Sequence, residues 1–147
     1  MTQEEKDLLL KDLCARVPYH PKGRVVNSFN DAECDEWLTC ATFTMFTNIM
    51  NNTRLYLRPM SSITEEERED FWKNVLDIDW RELEFDEEPN EVPFPFTEND
   101  CGVYLDFIYL ADLFAVFDWL NAHHFDYRGL IPKGLAISTE EFNPYKD

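Results

Sequence analysis

The stretch Thr53-Arg-Leu-Tyr-Leu-Arg58 decides the fold class, because apolar and charged side chains alternate along it. Alternation of this kind predicts a half-buried strand, with Leu55 and Leu57 turned inward and Arg54 and Arg58 turned outward. The proline that follows ends the strand, since proline cannot donate to the ladder. Two asparagines directly before it signal a turn, because asparagine tolerates a positive φ. The stretch therefore predicts one strand of a small antiparallel sheet.

Further strand signals lie upstream, in residues that are β-branched, aromatic or rich in threonine. Gly23-Arg-Val-Val26 is short and β-branched, and residues 37–46 are rich in threonine and aromatics. We therefore place the small antiparallel sheet over residues 23–58. Gly134-Leu-Ala-Ile137 indicates a last strand, and residues 104–110 resemble another.

Helical periodicity flanks this sheet. Thr2 with Glu5 forms a capping-box pattern, and Thr64 precedes three glutamates that suit the positive end of a helix dipole. These signals, with apolar residues at helical spacing, predict three helices over residues 2–17, 64–76 and 113–124. Together with the sheet, they define an α+β fold.

The first helix is expected to bury one apolar face. Leu9, Leu10, Leu13, Cys14 and Val17 share that face at helical spacing. Among the four cysteines, the one in this face and the one at position 40 are typical of buried structural thiols, and the one at position 101 is the most exposed.

Length and composition favour a folded acidic protein. The 147 residues fit one domain over 1–147, and 44% hydrophobic residues are too many for a disordered chain. The net charge of −17 repels phosphates and anionic lipid, which excludes a direct nucleic-acid binder or a membrane-surface protein. The longest apolar stretch, 103–120, carries three aspartates and predicts no membrane span. The start has no export signal, so we expect free thiols and a cytoplasmic location.

The acidic charge is concentrated in the middle of the chain. Residues 61–100 hold fifteen acidic and three basic side chains, whereas residues 1–60 hold eight and seven. Three prolines make residues 77–100 an irregular acidic segment. Phenylalanines interleave with its carboxylates, which gives a basic partner both charge and apolar anchors. The predicted partner-binding surface comprises Asp79, Glu82, Glu84, Phe85, Asp86, Glu87, Glu88, Phe94 and Phe96.

These carboxylates do not predict a metal site. A calcium loop needs ligands at fixed alternating positions and a glycine for its sharp turn, and no glycine occurs between Arg24 and Cys101. No cysteine pair has the spacing of a zinc site either. We therefore expect neither a metal nor a cofactor.

The segment His123-His-Phe-Asp-Tyr-Arg128 offers an alternative site. A histidine here could act as a base or metal ligand, with Asp126 orienting it. Adjacent helical histidines point about 100° apart, however, so His123 and His124 converge poorly on one ion. The competing interpretation is a helix C-terminus in which Asp126 and Arg128 form a local ion pair.

Three blocks of the sequence resemble a family of small uncharacterised proteins from Bacteroides-type gut bacteria and their prophages. The blocks are MTQEEKDLLLKDLCAR at the start, LYLRPMSSITEEE at 55–67 and WLNAHHFDYRGLIPKGLA at 119–136. The resemblance covers roughly a third of the chain. It implies a cytosolic protein encoded on a mobile element or phage, and it implies no activity or catalytic residue.

Two functional hypotheses follow. The first is a non-enzymatic acidic interaction protein that binds a basic partner, either a nucleic-acid-binding or a host-defence protein. It would act as an inhibitor or adaptor by presenting carboxylates that resemble phosphates. The second is a small hydrolase or metal-dependent enzyme that uses His123, His124 and Asp126. In either case we expect the apolar third block to be buried, at Trp119, Leu120, Phe125, Leu130 and Ile131.

Overall fold

The chain divides into two compact units. A computed structural model of the protein describes residues 1–26, 33–38, 53–84, 87–93 and 113–146. Unit 1 comprises Met1–Pro59 and Asn121–Asp147, and unit 2 comprises Met60–Leu120. Two compact units can belong to one domain, so the expectation of a single domain stays a prediction.

Unit 1 contains a four-stranded sheet with the order β2-β1-β3-β4. Its strands are β1 at Lys22–Val26, β2 at Glu33–Trp37, β3 at Thr53–Leu57 and β4 at Ala136–Ser138. Strand β1 pairs antiparallel with β2 and β3, whereas β4 runs parallel to β3.

The α+β class is confirmed, but the sheet is mixed rather than purely antiparallel. A parallel neighbour requires a long connection between the two strands, and residues 58–135 supply it here. The last strand was predicted at 134–137 and is observed as β4, but the prediction confined the sheet to residues 23–58 and so left out this pairing. Strand β2 was not predicted: it ends at Trp37, where the predicted strand over 37–46 begins, and residues 39–46 lie outside the described residues.

Helix α1, Gln3–Arg16, begins at the predicted capping box. The Thr2 hydroxyl accepts from the Glu5 N–H, and the Glu5 carboxylate accepts from the Thr2 N–H. The buried residues of the helix are Leu9, Asp12, Leu13 and Arg16. They follow the i, i+3, i+4, i+7 spacing of one helix face.

The predicted face of α1 was therefore wrong in part. Leu10 and Cys14 are exposed, and two charged residues take the buried positions instead. Burial of Asp12 and Arg16 is tolerated because the carboxylate and the guanidinium pair with each other.

The core of unit 1 lies between α1, one face of the sheet and the segment that leads into β4. Its buried members are Leu9, Leu13, Val25, Leu38, Leu55, Leu57, Leu130, Leu135 and Ala136. Leu55 and Leu57 thus point inward as predicted.

The opposite face of β3 is also covered, because Tyr56 is fully buried. The Phe142 ring meets the Tyr56 ring edge-on at a centroid distance of 5.9 Å. The Tyr145 hydroxyl donates to the Tyr56 carbonyl at 3.1 Å and accepts from the Lys22 N–H at 2.8 Å. The segment 142–145 therefore packs against the outer face of the sheet.

Unit 2 is built from short helical elements around buried aromatic residues. Helix α2, Glu65–Asp70, starts at a capping box between Thr64 and Glu67 and continues as a π-helix, Phe71–Val75. Helix α3, Leu113–Ala122, starts in unit 2 and ends in unit 1. Among the described residues of the unit, the buried apolar ones are Ile63, Phe71, Trp72, Leu76, Val92, Val116, Trp119 and Leu120.

The predicted helices are confirmed, with ends that move by one or two residues. In the third block, four of the five residues expected inside are buried, at Trp119, Leu120, Phe125 and Leu130. The fifth, Ile131, is partly buried against the core of unit 1. The strand predicted over 104–110 lies outside the described residues. None of the helices in the described part of the chain is long and apolar enough to cross a membrane.

Candidate functional site

Almost all of the net charge belongs to unit 2. Its sequence holds eighteen acidic and three basic side chains, a net charge of −15 out of −17 for the chain. Unit 1 is nearly balanced, with twelve acidic and ten basic side chains. The negative electrostatic potential of the chain therefore originates mainly in unit 2.

The predicted acidic surface is exposed wherever the structure describes it. Exposed members are Asp79, Glu82, Glu84, Glu87 and Glu88. Within the described residues, the last four have no hydrogen-bond or ion-pair partner, whereas Asp79 lies 3.7 Å from Arg81. The remaining predicted members, Phe85, Asp86, Phe94 and Phe96, lie outside the described residues. We call the four unpaired glutamates the glutamate row.

Beside Asp79, unit 2 forms an open cleft of about 290 Å³. Its lining contains two tryptophans, three acidic residues, two basic residues and one isoleucine: Glu69, Trp72, Lys73, Asp77, Ile78, Asp79, Trp80 and Arg81. Trp72 is fully buried, and its indole N–H donates to the Pro93 carbonyl at 2.6 Å. The indole of Trp72 is thereby held in place.

Unusual backbone conformations shape this cleft. A π-helix is rare and occurs mostly as a single turn, frequently at functional sites. Here the π-helix ends where the Leu76 N–H reaches the Phe71 carbonyl at 3.1 Å. Asp77 follows with a positive φ of 54°, which non-glycine residues adopt uncommonly and aspartate more readily than most. Asp77 and Asp79, on either side of Ile78, both line this cleft.

A guanidinium of the chain itself occupies one side of the cleft. Arg81 donates to both carboxylate oxygens of Glu69, at 2.5 and 3.4 Å. Its guanidinium carbon lies 4.7 Å from the centre of the Trp80 ring, and the Trp80 indole N–H donates to Glu69 at 3.2 Å. The hydrogen bond to Glu69 raises the pKa of Arg81 further above its usual value. Arg81, Trp80 and Glu69 therefore form one connected contact.

The sequence interpretation missed this cleft, although it named Asp79. Glu69 and Trp72 were assigned to an ordinary helix, and Trp80 was not singled out. A usable signal was the segment Asp77-Ile-Asp-Trp-Arg81, in which an aromatic residue stands among charges of both signs.

The histidines of the alternative site do not come together around one point. The His124 ring stacks on the Tyr145 ring, with centroids 3.9 Å apart and an angle of 6° between planes. The His123 ring stacks on the Phe125 ring at 6.2 Å. The described residues contain no group of three or more His, Cys, Asp or Glu residues that could hold a metal ion.

His124 takes the position that ends helix α3. Its φ is 60°, and its N–H donates to the Asn121 carbonyl at 3.0 Å. A left-handed residue directly after the last turn is a common helix end. The interpretation of this segment as a helix C-terminus therefore agrees with the geometry.

Asp126 and Arg128 do not pair with each other, which corrects the expectation of a local ion pair. Both oxygens of Asp126 accept backbone N–H groups, from Leu130 and Ile131, each at 2.8 Å. Arg128 lies 3.2 Å from Asp12 on α1 instead. Asp126 thus stabilises the turn that leads to Leu130 and Ile131. Arg128 links the same turn to helix α1.

Asp12 is the centre of a buried charged network in unit 1. The Arg16 guanidinium donates to both of its oxygens, at 2.7 and 3.1 Å, and also to the Phe125 carbonyl at 2.7 Å. The Arg16 and Arg128 guanidiniums lie 5.2 and 5.1 Å from the centre of the Tyr127 ring. This network connects α1 to the segment after α3, which is a structural task.

His124 gives unit 1 a dependence on pH. Burial lowers the pKa of His124 to about 4, and nearby cations, Arg16 foremost, add to the effect. Because an unfolded histidine has a pKa of about 6.5, only the unfolded state takes up the proton as pH falls below that value. Stability from this group is therefore present above pH 6.5 and is lost progressively down to pH 4. Allowing for its partial exposure, we expect a loss of about 2 kcal/mol.

The matched variant is His124→Asn, because asparagine tolerates the left-handed backbone but does not titrate. Urea unfolding at several pH values should show a steeper decline between pH 6.5 and 4 in the native protein than in this variant. Parallel curves for the two proteins would contradict the buried neutral histidine.

In comparisons with known proteins, no protein-family model, no curated protein and no solved structure matched this chain. The function proposed below therefore rests on the residues of this chain.

Proposed function

We propose that the protein is a non-enzymatic acidic interaction protein that binds a basic protein through unit 2. The observation that carries this proposal is the exposed glutamate row, Glu82, Glu84, Glu87 and Glu88, whose carboxylates have no partner among the described residues. Unpaired exposed carboxylates cost the folded chain repulsion without contributing a bond. A basic partner supplies the missing countercharge.

The charge of unit 2 favours a partner that normally binds nucleic acid. Such proteins present clustered lysines and arginines to phosphates, and carboxylates can take the place of those phosphates. Covering that surface would inhibit the partner or recruit it to another protein. The proposed partner class is thus a nucleic-acid-binding or host-defence protein.

The proposal predicts salt-sensitive binding that depends on the position of the charge. Changing Glu82, Glu84, Glu87 and Glu88 to Gln should slow association with the captured partner about tenfold, while dissociation changes less, because long-range charge acts on the encounter. The partner would be captured from host lysate at low salt, purified and measured by surface plasmon resonance at several salt concentrations. The salt dependence of the association rate should become weaker in the variant.

A second quadruple variant controls for net charge. Glu4, Asp7, Glu140 and Glu141 are exposed acidic residues of unit 1, and their conversion to amides changes the total charge by the same amount. This control should associate nearly as fast as the native protein. Equal rates and equal salt dependence in the native protein and the glutamate-row variant would show that the row only solubilises the chain.

No described contact favours the hydrolase or metal-enzyme alternative at His123, His124 and Asp126. The two rings face different aromatic partners, and both Asp126 oxygens accept backbone N–H groups. Two clefts lined by described residues lie in unit 2, and neither contains a histidine.

A further inference from the structure

The cleft of unit 2 combines an aromatic face with carboxylates that differ in how they are engaged. Glu69 already binds Arg81, and Asp79 lies near the same guanidinium. Asp77 is exposed and has no partner among the described residues. At about 290 Å³, the cleft lies at the lower limit of small-molecule pockets, a size that suits one side chain better than a whole ligand.

Arg81 shows which chemistry the cleft accepts. A planar guanidinium pairs with a carboxylate in a fork and stacks on an indole face. Arg81 makes both contacts at once, to Glu69 and to Trp80. An ammonium could make the charge contact, but it has neither the fork nor the flat face.

The internal contact is exchangeable because it lies in solvent. The side chain of Arg81 is 61% exposed, and that of Glu69 is 36% exposed. Ion pairs of this exposure contribute little to stability. Arg81 can therefore swing out without loss of the fold, and its release would leave Glu69, Trp80 and Asp77 available together.

We propose that this cleft is a receptor for an arginine side chain of the basic partner, which displaces Arg81 from Glu69 and Trp80 and gains Asp77. The proposal rests on the proposed function and deepens it, since it specifies arginine rather than basic charge in general. Arg81 acts as an internal competitor that keeps the cleft occupied until the partner arrives. Its displacement would make recognition selective, because a partner without a suitably placed arginine gains only the weaker attraction of the glutamate row.

The test uses a short probe in place of the partner. A blocked Gly-Arg-Gly peptide would be titrated into the full chain, with the Trp80 indole N–H followed by NMR. Replacing the internal competitor in the variant Arg81→Gln should lower the Kd of the probe about two- to sixfold, the factor expected for an exposed ion pair. Adding Glu69→Gln to that variant should raise the Kd at least tenfold, because the carboxylate that receives the guanidinium is lost.

Two controls separate the cleft from bulk charge. Lys133→Gln in unit 1 changes the net charge by the same amount as Arg81→Gln and should leave the Kd unchanged. Citrulline and lysine versions of the peptide should bind more weakly than the arginine version. An unchanged or raised Kd in Arg81→Gln, or a lysine peptide that binds as tightly as the arginine peptide, would overturn the proposal.

The probe experiment and the partner experiment fail independently. The cleft is measured without a partner, and the glutamate row is not part of its lining. If the probe binds but no partner binds in a charge-dependent way, the proposed function is wrong and the cleft still binds arginine. Charge-dependent partner binding without a shift at Trp80 would remove the cleft and leave the acidic surface.

Discussion

Replacing Asp12 with Asn is expected to lower the free energy of unfolding by about 3–5 kcal/mol, the usual cost of removing one partner of a buried ion pair. The change keeps the shape of the side chain but removes the charge that faces two guanidiniums. Arg16, fully buried, and Arg128 would then repel each other with no carboxylate between them. Urea unfolding followed by tryptophan fluorescence would measure the loss.

A double variant separates the cost of an unpaired charge from the value of the pair itself. Changing Asp12 to Leu together with Arg16 to Met removes both buried charges and fills their space with apolar atoms. Because such replacements are often neutral, the double variant should lose less stability than Asp12→Asn alone. If Asp12→Asn unfolds at the same urea midpoint as the native protein, the network contributes little to stability.

Replacing Trp119 with Ala is expected to cost about 3–5 kcal/mol as well, for a different reason. The side chain is 8% exposed, and its ring meets the Phe71 ring edge-on at 5.1 Å. Its indole N–H also donates to Asp70 at 2.9 Å, which ties α3 to the end of α2. Truncation would leave a cavity in unit 2 and remove one of the hydrogen bonds to the Asp70 carboxylate.

The matched control is Trp37→Ala, because Trp37 is 52% exposed and contacts Lys22 and Tyr145 on the sheet surface. This variant should lose less stability than Trp119→Ala, since about half of the Trp37 side chain is already in water. Melting temperatures measured by circular dichroism would compare the two. Equal shifts for both tryptophans would show that Trp119 is not the packing centre of unit 2.

The sequence predicted the parts of the fold that depend on neighbouring residues. The capping box at Thr2 and the helix start at Thr64 were predicted correctly, because each cap contacts a residue only three positions further along the chain. The inward direction of Leu55 and Leu57 followed from alternation alone. Such features are local, so the neighbouring residues in the sequence are enough to predict them.

Features that depend on distant partners were missed. The burial of Asp12 and Arg16 was not predicted, because charged residues are seldom buried and the second guanidinium that contacts Asp12, that of Arg128, lies more than a hundred residues away. Tyr56 is buried by residues near the other end of the chain. The cleft was missed for a related reason, since its shape requires the π-helix and the left-handed Asp77.

The parallel pairing of β4 with β3 affects how the protein folds while it is being synthesised on the ribosome. Unit 2 is continuous in the chain, so it can collapse as soon as its own residues have emerged. The sheet of unit 1 must wait, because its fourth strand is synthesised about eighty residues after the third. Contacts between residues so far apart in the sequence form slowly. Until β4 pairs with β3, the backbone N–H and C=O groups along that edge of β3 have no strand partner. We therefore expect nascent chains of this protein to aggregate, or to be bound by chaperones, most readily during that interval.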